Sequence, residues 1–210
     1  MPNWCNNSIA FYQKDGEKTE AAPSYLLEAF YTDIQKYQNF TEPETGRISN
    51  WVGHYLRENR IDTDSMYTRG FFTNCELLDD HVRIDMETAW APLPEVYEKM
   101  AEKYGLSYVY IAEECGSEVY VNTDTSGRFF STRYVINCFD VSDLNLEPEI
   151  EAKFGKRLWE IGDETMYFDS FEEVLFEFEG FGFEVDDLEG LNRCLEGVGV
   201  EVEVYEYSYS

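Results

Sequence analysis

FFTNCELLDDHVRIDMETAWAPLPEVYEKMAEKYGLSYVYIAEE, residues 71–114, is the stretch that decides the fold. Its first half alternates with a period of two. Val82, Ile84 and Met86 fall on one side, and Arg83, Asp85 and Glu87 on the other. Two strands, Phe71–Leu77 and His81–Thr88, are predicted to meet at a bend of Leu78, Asp79 and Asp80. The period then lengthens. Val96, Tyr97, Met100 and Tyr104 share a helical stripe, with Pro94 in the first turn and Gly105 just past the end. Glu95 precedes Lys99 by one turn, the favourable order for such a pair. A further strand follows in LSYVYIAEE. The order is strand, strand, helix, strand.

Working outward towards the N-terminus, WCNNSIAFY (Trp4–Tyr12) reads as a strand. Cys5, Asn7, Ile9 and Phe11 share one face, and Trp4, Asn6, Ser8, Ala10 and Tyr12 the other. Leu26, Leu27, Phe30, Ile34 and Tyr37 form the stripe of a helix over Ser24–Tyr37, with Pro23 in its first turn. Residues 4–114 therefore predict an α+β fold: a ferredoxin-like βαββαβ antiparallel sheet with both helices on one face. Residues 38–70 read as an insertion, with ISNWVGHYLREN either a short helix or a loop plus strand. A hairpin with NTDTSG (122–127) at its turn is expected to extend the sheet. On this reading the first domain runs over 1–139, and 140–210 forms an acidic α+β annex or small second domain.

The acidic end is patterned. Ser170 and Glu173 have capping-box spacing. Phe171, Val174, Leu175 and Phe178 line one helical face, and Leu188, Leu191 and Leu195 line another. Val198, Val200, Val202 and Val204 alternate with Glu201, Glu203, Tyr205, Tyr207 and Tyr209.

Charge is the strongest compositional signal. Sixteen Lys and Arg face 43 Asp and Glu, a formal net of -27. From Asp140 onward 21 acids face 4 bases. Such a surface repels nucleic acid and anionic membranes and attracts basic proteins. No apolar run is long enough for a membrane span, and no basic leader precedes an apolar stretch, so the expected location is cytoplasmic. The five cysteines, Cys5, Cys75, Cys115, Cys138 and Cys194, have no metal-ligand spacing. They are expected to be reduced and mostly buried.

Motifs for catalysis are lacking. The two histidines, His54 and His81, stand in no hydrolase or metal pattern, and the sequence holds no P-loop and no G-x-G-x-x-G. The expectation is a protein without catalytic residues, metal or cofactor. Asn122, Asp124, Ser126 and Gly127 imitate part of a calcium loop, but Arg133 stands where the bidentate Glu belongs. The segment reads as a hairpin turn.

MPNWCNN at the start, Asn50-Trp51, and ETAWAPLPEVYEKMAEKYGLSY together resemble the YubB-type ferredoxin-like family, over roughly residues 1–125. Thr88, Ala89, Trp90 and Pro92 match its T-A-W-x-P-P stretch, with Leu93 in place of the second Pro. EECGSE replaces its E-P-G-like bend. The resemblance implies the fold and a genetic context of plasmids, prophages and integrated elements. It implies no catalytic residue. Asn3, Trp4, Cys5, Asn6, Asn7, Trp51 and Trp90 are read as its structural motif: Trp4 fastens the start of the first strand near Trp90, and Asn6 and Asn7 make specific hydrogen bonds.

The functional expectation follows from charge. Glu172, Glu173, Glu177, Glu179, Asp186, Asp187 and Glu189 are the candidate contacts for a basic nucleic-acid-binding or defence protein, the acids imitating DNA phosphates. Direct binding of nucleic acid or membrane is not expected. The alternative is an accessory module that binds a protein or small ligand on the open sheet face, its acids only solvating it.

Overall fold

The structure is a computed structural model that describes residues 3–14, 24–63, 66–144, 146–200 and 202–209. It has two compact units, Met1–Asp124 and Thr125–Ser210. The division lies upstream of the one read from composition after Phe139.

In the first unit the chain runs β1 (Trp4–Tyr12), α1 (Tyr25–Gln38), β2 (Phe40–Thr41), β3 (Ile48–Ser49), α2 (Val52–Glu58), β4 (Gly70–Leu77), β5 (His81–Ala89), α3 (Pro94–Tyr104), β6 (Ser107–Glu114) and β7 (Val119–Asn122). Five strands make one antiparallel sheet in the order β4-β5-β1-β6-β7. Ser24 caps α1, its side chain accepting from the Leu27 amide; Pro23 lies outside the described residues. Gly105 ends α3 at φ 65, a left-handed turn that glycine adopts without steric cost. Both helices lie on the sheet face that carries Cys5, Ile9 and Phe11. Their stripes, Leu27, Phe30 and Ile34 on α1 and Val96, Tyr97 and Met100 on α3, join one buried core with those residues.

Residues 38–70 do more than insert. Val52, Tyr55 and Leu56 of α2 are fully buried in the same core. Just before the helix, Asn50 covers the edge of β4. Its carbonyl accepts from the Phe72 amide at 2.9 Å and its side-chain amide donates to the Phe72 carbonyl at 2.6 Å. β4 is an edge strand, so these Phe72 backbone groups point away from β5, and the β4–β5 register shifts just beyond them, between Phe72 and Asn74. Trp51 bridges to Phe71 and donates its indole N–H to the Thr68 carbonyl at 2.9 Å. The Asn50-Trp51 pair thus closes an edge that would otherwise offer free ladder groups.

The motif around Asn7 has a clear physical basis. Asn7 is buried in the central strand, facing α3. Its amide donates to the Cys5 carbonyl (2.8 Å), the Met86 carbonyl (3.3 Å) and Thr88 Oγ1 (2.8 Å). Its Oδ1 accepts from the Tyr97 hydroxyl at 3.0 Å. That hydroxyl in turn accepts from the Leu93 amide (3.1 Å), and Thr88 Oγ1 donates to the Ala91 carbonyl (2.7 Å). The network ties β1, the end of β5 and the turn into α3 together. Cys5 sits beside it, fully buried, and burial pushes its thiol up to about 11. Asn6 points to the opposite face and is exposed. The Asn3 carbonyl accepts from the Trp90 amide at 2.9 Å, with Trp90 in the left-handed region at φ 72. Trp4 pairs in register with Ala89, but its ring meets Phe71, edge-on at 5.6 Å.

The second unit contains β8 (Tyr134–Ile136), α4 (Pro148–Gly162), β9 (Met166–Phe168), α5 (Phe171–Glu177), α6 (Leu188–Gly197) and β10 (Val204–Glu206). Its three strands form a second antiparallel sheet, β10-β8-β9. This corrects the hairpin expected over 117–139. β7 does extend the first sheet, but Tyr134–Ile136 pairs with Met166–Phe168 and Val204–Glu206 instead. The NTDTSG segment is therefore no hairpin turn: Asp124 donates its amide to Asn122 Oδ1 at 2.9 Å, curling the chain out of the sheet. Burial of the cysteines is also corrected. Cys5 and Cys75 are buried, Cys194 is half-buried, and Cys115 and Cys138 are exposed; all five are free thiols. Among the described residues no helix is long and apolar enough to cross a membrane.

Asn7→Ala is expected to cost about 3 kcal/mol in urea unfolding, because it leaves the Tyr97 hydroxyl proton and the Met86 carbonyl short of a partner in the core and opens a small cavity. Asn6→Ala should stay within about 0.5 kcal/mol of the parent. Equal losses at the two positions would contradict the network's role.

Asp33 gives a pH test. Burial works to raise its pKa, but hydrogen bonds from Tyr104, Lys103 and Lys36 outweigh burial and hold it below the usual value of 3.8. A lowered folded pKa contributes stability above the unfolded value, which is lost as pH falls through the folded one. The stability gap between the parent and Asp33→Asn should be full above pH 3.8 and close below it. A gap that does not change with pH would contradict the charge-assisted bonding.

Candidate interaction surface

The second unit builds its surface by exclusion. Phe154, Leu158 and Ile161 of α4, Val174 of α5 and Leu191 and Leu195 of α6 are buried together with Val200, Val202 and Val204. These apolar stripes leave only outward positions for charge. All described acids from Asp140 onward are exposed except Glu177, which is half-buried. Counted from Thr125, 21 acids face 6 bases, whereas Met1–Asp124 holds 22 acids and 10 bases in a longer stretch.

The seven candidate residues divide by the work they already do. Ser170 caps α5, accepting from the Glu173 amide at 3.3 Å, while Glu173 reaches back to the Asp169 amide at 2.9 Å. Glu173 therefore takes up the amide one residue before the cap, a variant of the capping box, whose second bond would go to Ser170. Asp187 caps α6, accepting from the Gly190 amide at 2.8 Å. Glu189 pairs with Arg193 one turn on. Glu177 accepts from Arg157 at 2.6 Å, and Arg157 Nε also donates to the Glu177 carbonyl at 3.1 Å. That bond joins α4 to the end of α5 and accounts for the partial burial of Glu177. Glu172, Glu179 and Asp186 are exposed and form no ion pair among the described residues. Of the seven, these three are the ones with no structural use among the described residues. Of the alternating tail, Val200, Val202 and Val204 are buried as expected. Tyr207, expected outside, is fully buried and donates its amide to the Arg133 carbonyl at 2.9 Å. Glu201 lies outside the described residues.

The open face of the first sheet is largely self-satisfied. Asp85 accepts from Ser8 (2.5 Å), Arg83 (3.1 Å) and Asn74 (3.3 Å), and Arg83 also donates to Ser8 (3.0 Å). Three strands are laced together there, and the arginine is committed to that lacing.

One arrangement in the first unit is not apparent from sequence spacing. His54 is buried between Phe40, stacked at 4.8 Å, and Trp51, edge-on at 5.2 Å. Arg57 always carries its protons, so its 3.0 Å contact makes His54 Nδ1 the acceptor. The ring proton then sits on Nε2, 3.3 Å from a Glu42 carboxylate oxygen. A hydrogen bond from Thr45, with the Arg47 guanidinium nearby, holds the Glu42 carboxyl below its usual range. His54 Nε2 forms no hydrogen bond among the described residues, so Glu42 is a charged neighbour of the ring and His54 Nδ1 alone holds the Arg57 guanidinium. The single sequence clue is the H-x-x-R spacing, which puts both side chains on one helical face.

Among the described residues no group of three or more His, Cys, Asp or Glu is placed to hold a metal ion. No protein-family model matches the chain, and neither a curated protein nor a solved structure was found to be similar to it.

Substitutions should separate structural acids from surplus ones. Glu177→Gln is expected to cost about 1 kcal/mol through the Arg157 contact. Glu172→Gln, Glu179→Gln and Asp186→Asn should each stay within about 0.5 kcal/mol, or stabilise by relieving repulsion. Urea unfolding at low salt reads the difference.

Proposed function

We propose that the chain is a non-enzymatic accessory protein whose acidic second unit, chiefly over residues 168–207, binds a basic protein that handles nucleic acid. The observation that carries this reading is the surplus of outward carboxylates. A row of them offers a basic groove the kind of charge track that DNA offers, about one charge per 1.7 Å of axis. Among the described residues Glu172, Glu179 and Asp186 serve no cap or ion pair, and the net charge of -27 opposes the compact state through self-repulsion. A fold that keeps such a surplus without an internal use for it fits an interaction surface.

The first unit serves as the scaffold. The strand order β4-β5-β1-β6, with α1 and α3 on one face, supports the ferredoxin-like βαββαβ reading. Asn7, Thr88 and the Asn50-Trp51 pair are residues of the YubB-like motif, and each has a structural role that such a motif would preserve. That reading supplies the proposed context, a plasmid, prophage or integrated element, in which blocking a host's DNA-binding or defence protein is of use. The self-bonded open sheet face favours the acidic surface over the sheet as the contact.

The triple variant Glu172→Lys, Glu179→Lys, Asp186→Lys spares the caps and the Arg157 pair, so it should fold. Immobilised parent protein is expected to capture basic DNA-binding proteins from a host lysate at low salt and to release DNA from them. Both effects should fade at about 0.5 M salt, where charges are screened beyond a few Å. The triple variant should capture at least about tenfold less, since several surface charges together steer association. Equal capture by the two proteins would overturn the reading.

A further inference from the structure

The strongest departure from the acidic pattern lies at the end of α2. An open cleft of about 400 Å³ is lined there by Trp51, Gly53, Arg57, Arg60, Thr63 and Thr68, with Ile61 and Asp62 on its wall. Its size suits a small ligand. Two arginines converge on it in a chain of net charge -27.

Each wall is fixed in place. Trp51 is held by its bond to the Thr68 carbonyl and lies so close over Gly53 that a β-carbon there would fall inside the indole. Arg57 is aimed by the buried His54, itself set against Glu42. Arg60 is the unusual member. The Ile61 amide bonds to the Leu56 carbonyl at 2.9 Å and the Arg60 amide to the Arg57 carbonyl at 3.0 Å. This is the Schellman ending of a helix, and Arg60 occupies the left-handed position, φ 56, where glycine is favoured. Arg57 Nε also stands 4.0 Å from an exposed Glu58 carboxylate oxygen, whereas Arg60 forms no ion pair among the described residues. The favourable position of a cation at a helix C-terminus explains its sign. It does not explain a bulky residue at a helix end where glycine would be more stable.

We propose that this cleft binds a small oxyanion carried on a planar ring. The phosphate or carboxylate lies between the Arg57 and Arg60 guanidinium groups, and the ring lies against Trp51. Guanidinium forks match both oxyanions, and they also accept a ring stacked on or near them. Asp62 on the wall opposes any anion there, so both guanidinium groups are needed to hold one. The site belongs to the first unit alone and does not depend on the acidic surface.

The test is calorimetric titration of the full chain with AMP, benzoate and inorganic phosphate at about 0.15 M salt, which screens the overall negative field. AMP or benzoate should bind at least about tenfold more tightly than inorganic phosphate, and the better of the two identifies the oxyanion. Arg60→Gly should weaken that binding at least about tenfold while raising the melting temperature by about 2 °C, because glycine suits the left-handed position. Arg57→Lys keeps the charge but loses the fork, and should also weaken binding. The proposal is overturned if neither ring-bearing anion binds, if inorganic phosphate binds equally well, or if Arg60→Gly binds like the parent.

Discussion

The first unit depends on one buried amide. Asn is a poor strand residue, yet Asn7 sits in the central strand, with neighbours hydrogen-bonded on both sides. Its position is tolerable only because every polar atom of its side chain finds a partner: Cys5, Met86 and Thr88 for the amide, Tyr97 for the oxygen. A slip of one residue in the β1–β5 register would move Asn7 to the open face and leave the Tyr97 hydroxyl with a lost acceptor in the core. The network therefore specifies register as well as adding stability. It also sets where α3 begins, since Tyr97 accepts from Leu93 and Thr88 holds Ala91. α3, β5 and β1 are fixed together before any loop is considered.

The two units use charge in opposite ways. In the first, ionic groups are spent on joints: Asp33 with Lys103 and Tyr104 between α1 and α3, the Asp85–Arg83 pair of β5 bonded to Ser8 and Asn74 of the neighbouring strands, and Glu42 beside His54. In the second, Arg157 and Arg193 are each matched to a glutamate, and the remaining carboxylates outnumber any cation that could answer them. Single exposed pairs contribute little to stability, so the joints matter through geometry and the surplus matters through its field.

Much of the fold is legible in the sequence where period and punctuation agree. The β4–β5 hairpin, α3 with Pro94 and Gly105, and the α5 capping box fall within a residue or two of their expected bounds. Legibility fails where the competing choices are equal in local terms. Tyr134–Ile136 has the same alternation whichever sheet it joins, and only the distant strands Met166–Phe168 and Val204–Glu206 decide. Helix α4 is missing from the sequence reading although Pro148 and the stripe Phe154, Leu158, Ile161 mark it, because its dense charge draws attention from its period. At the candidate surface, the acids were legible as a group but not their separate uses. That Glu177 is bound to Arg157 depends on two helices meeting, which no spacing within either one reveals.

The central claim is that the carboxylate surplus of the second unit is a binding surface and not an even coat of solvating charge. Amide NMR mapping of the full chain with a Lys- and Arg-rich peptide tests this most directly. The account predicts shifts concentrated in the second unit around Glu172, Glu179 and Asp186, saturable at low salt and lost as salt rises. Shifts spread evenly over the acids of both units, or centred on the first sheet, would contradict it.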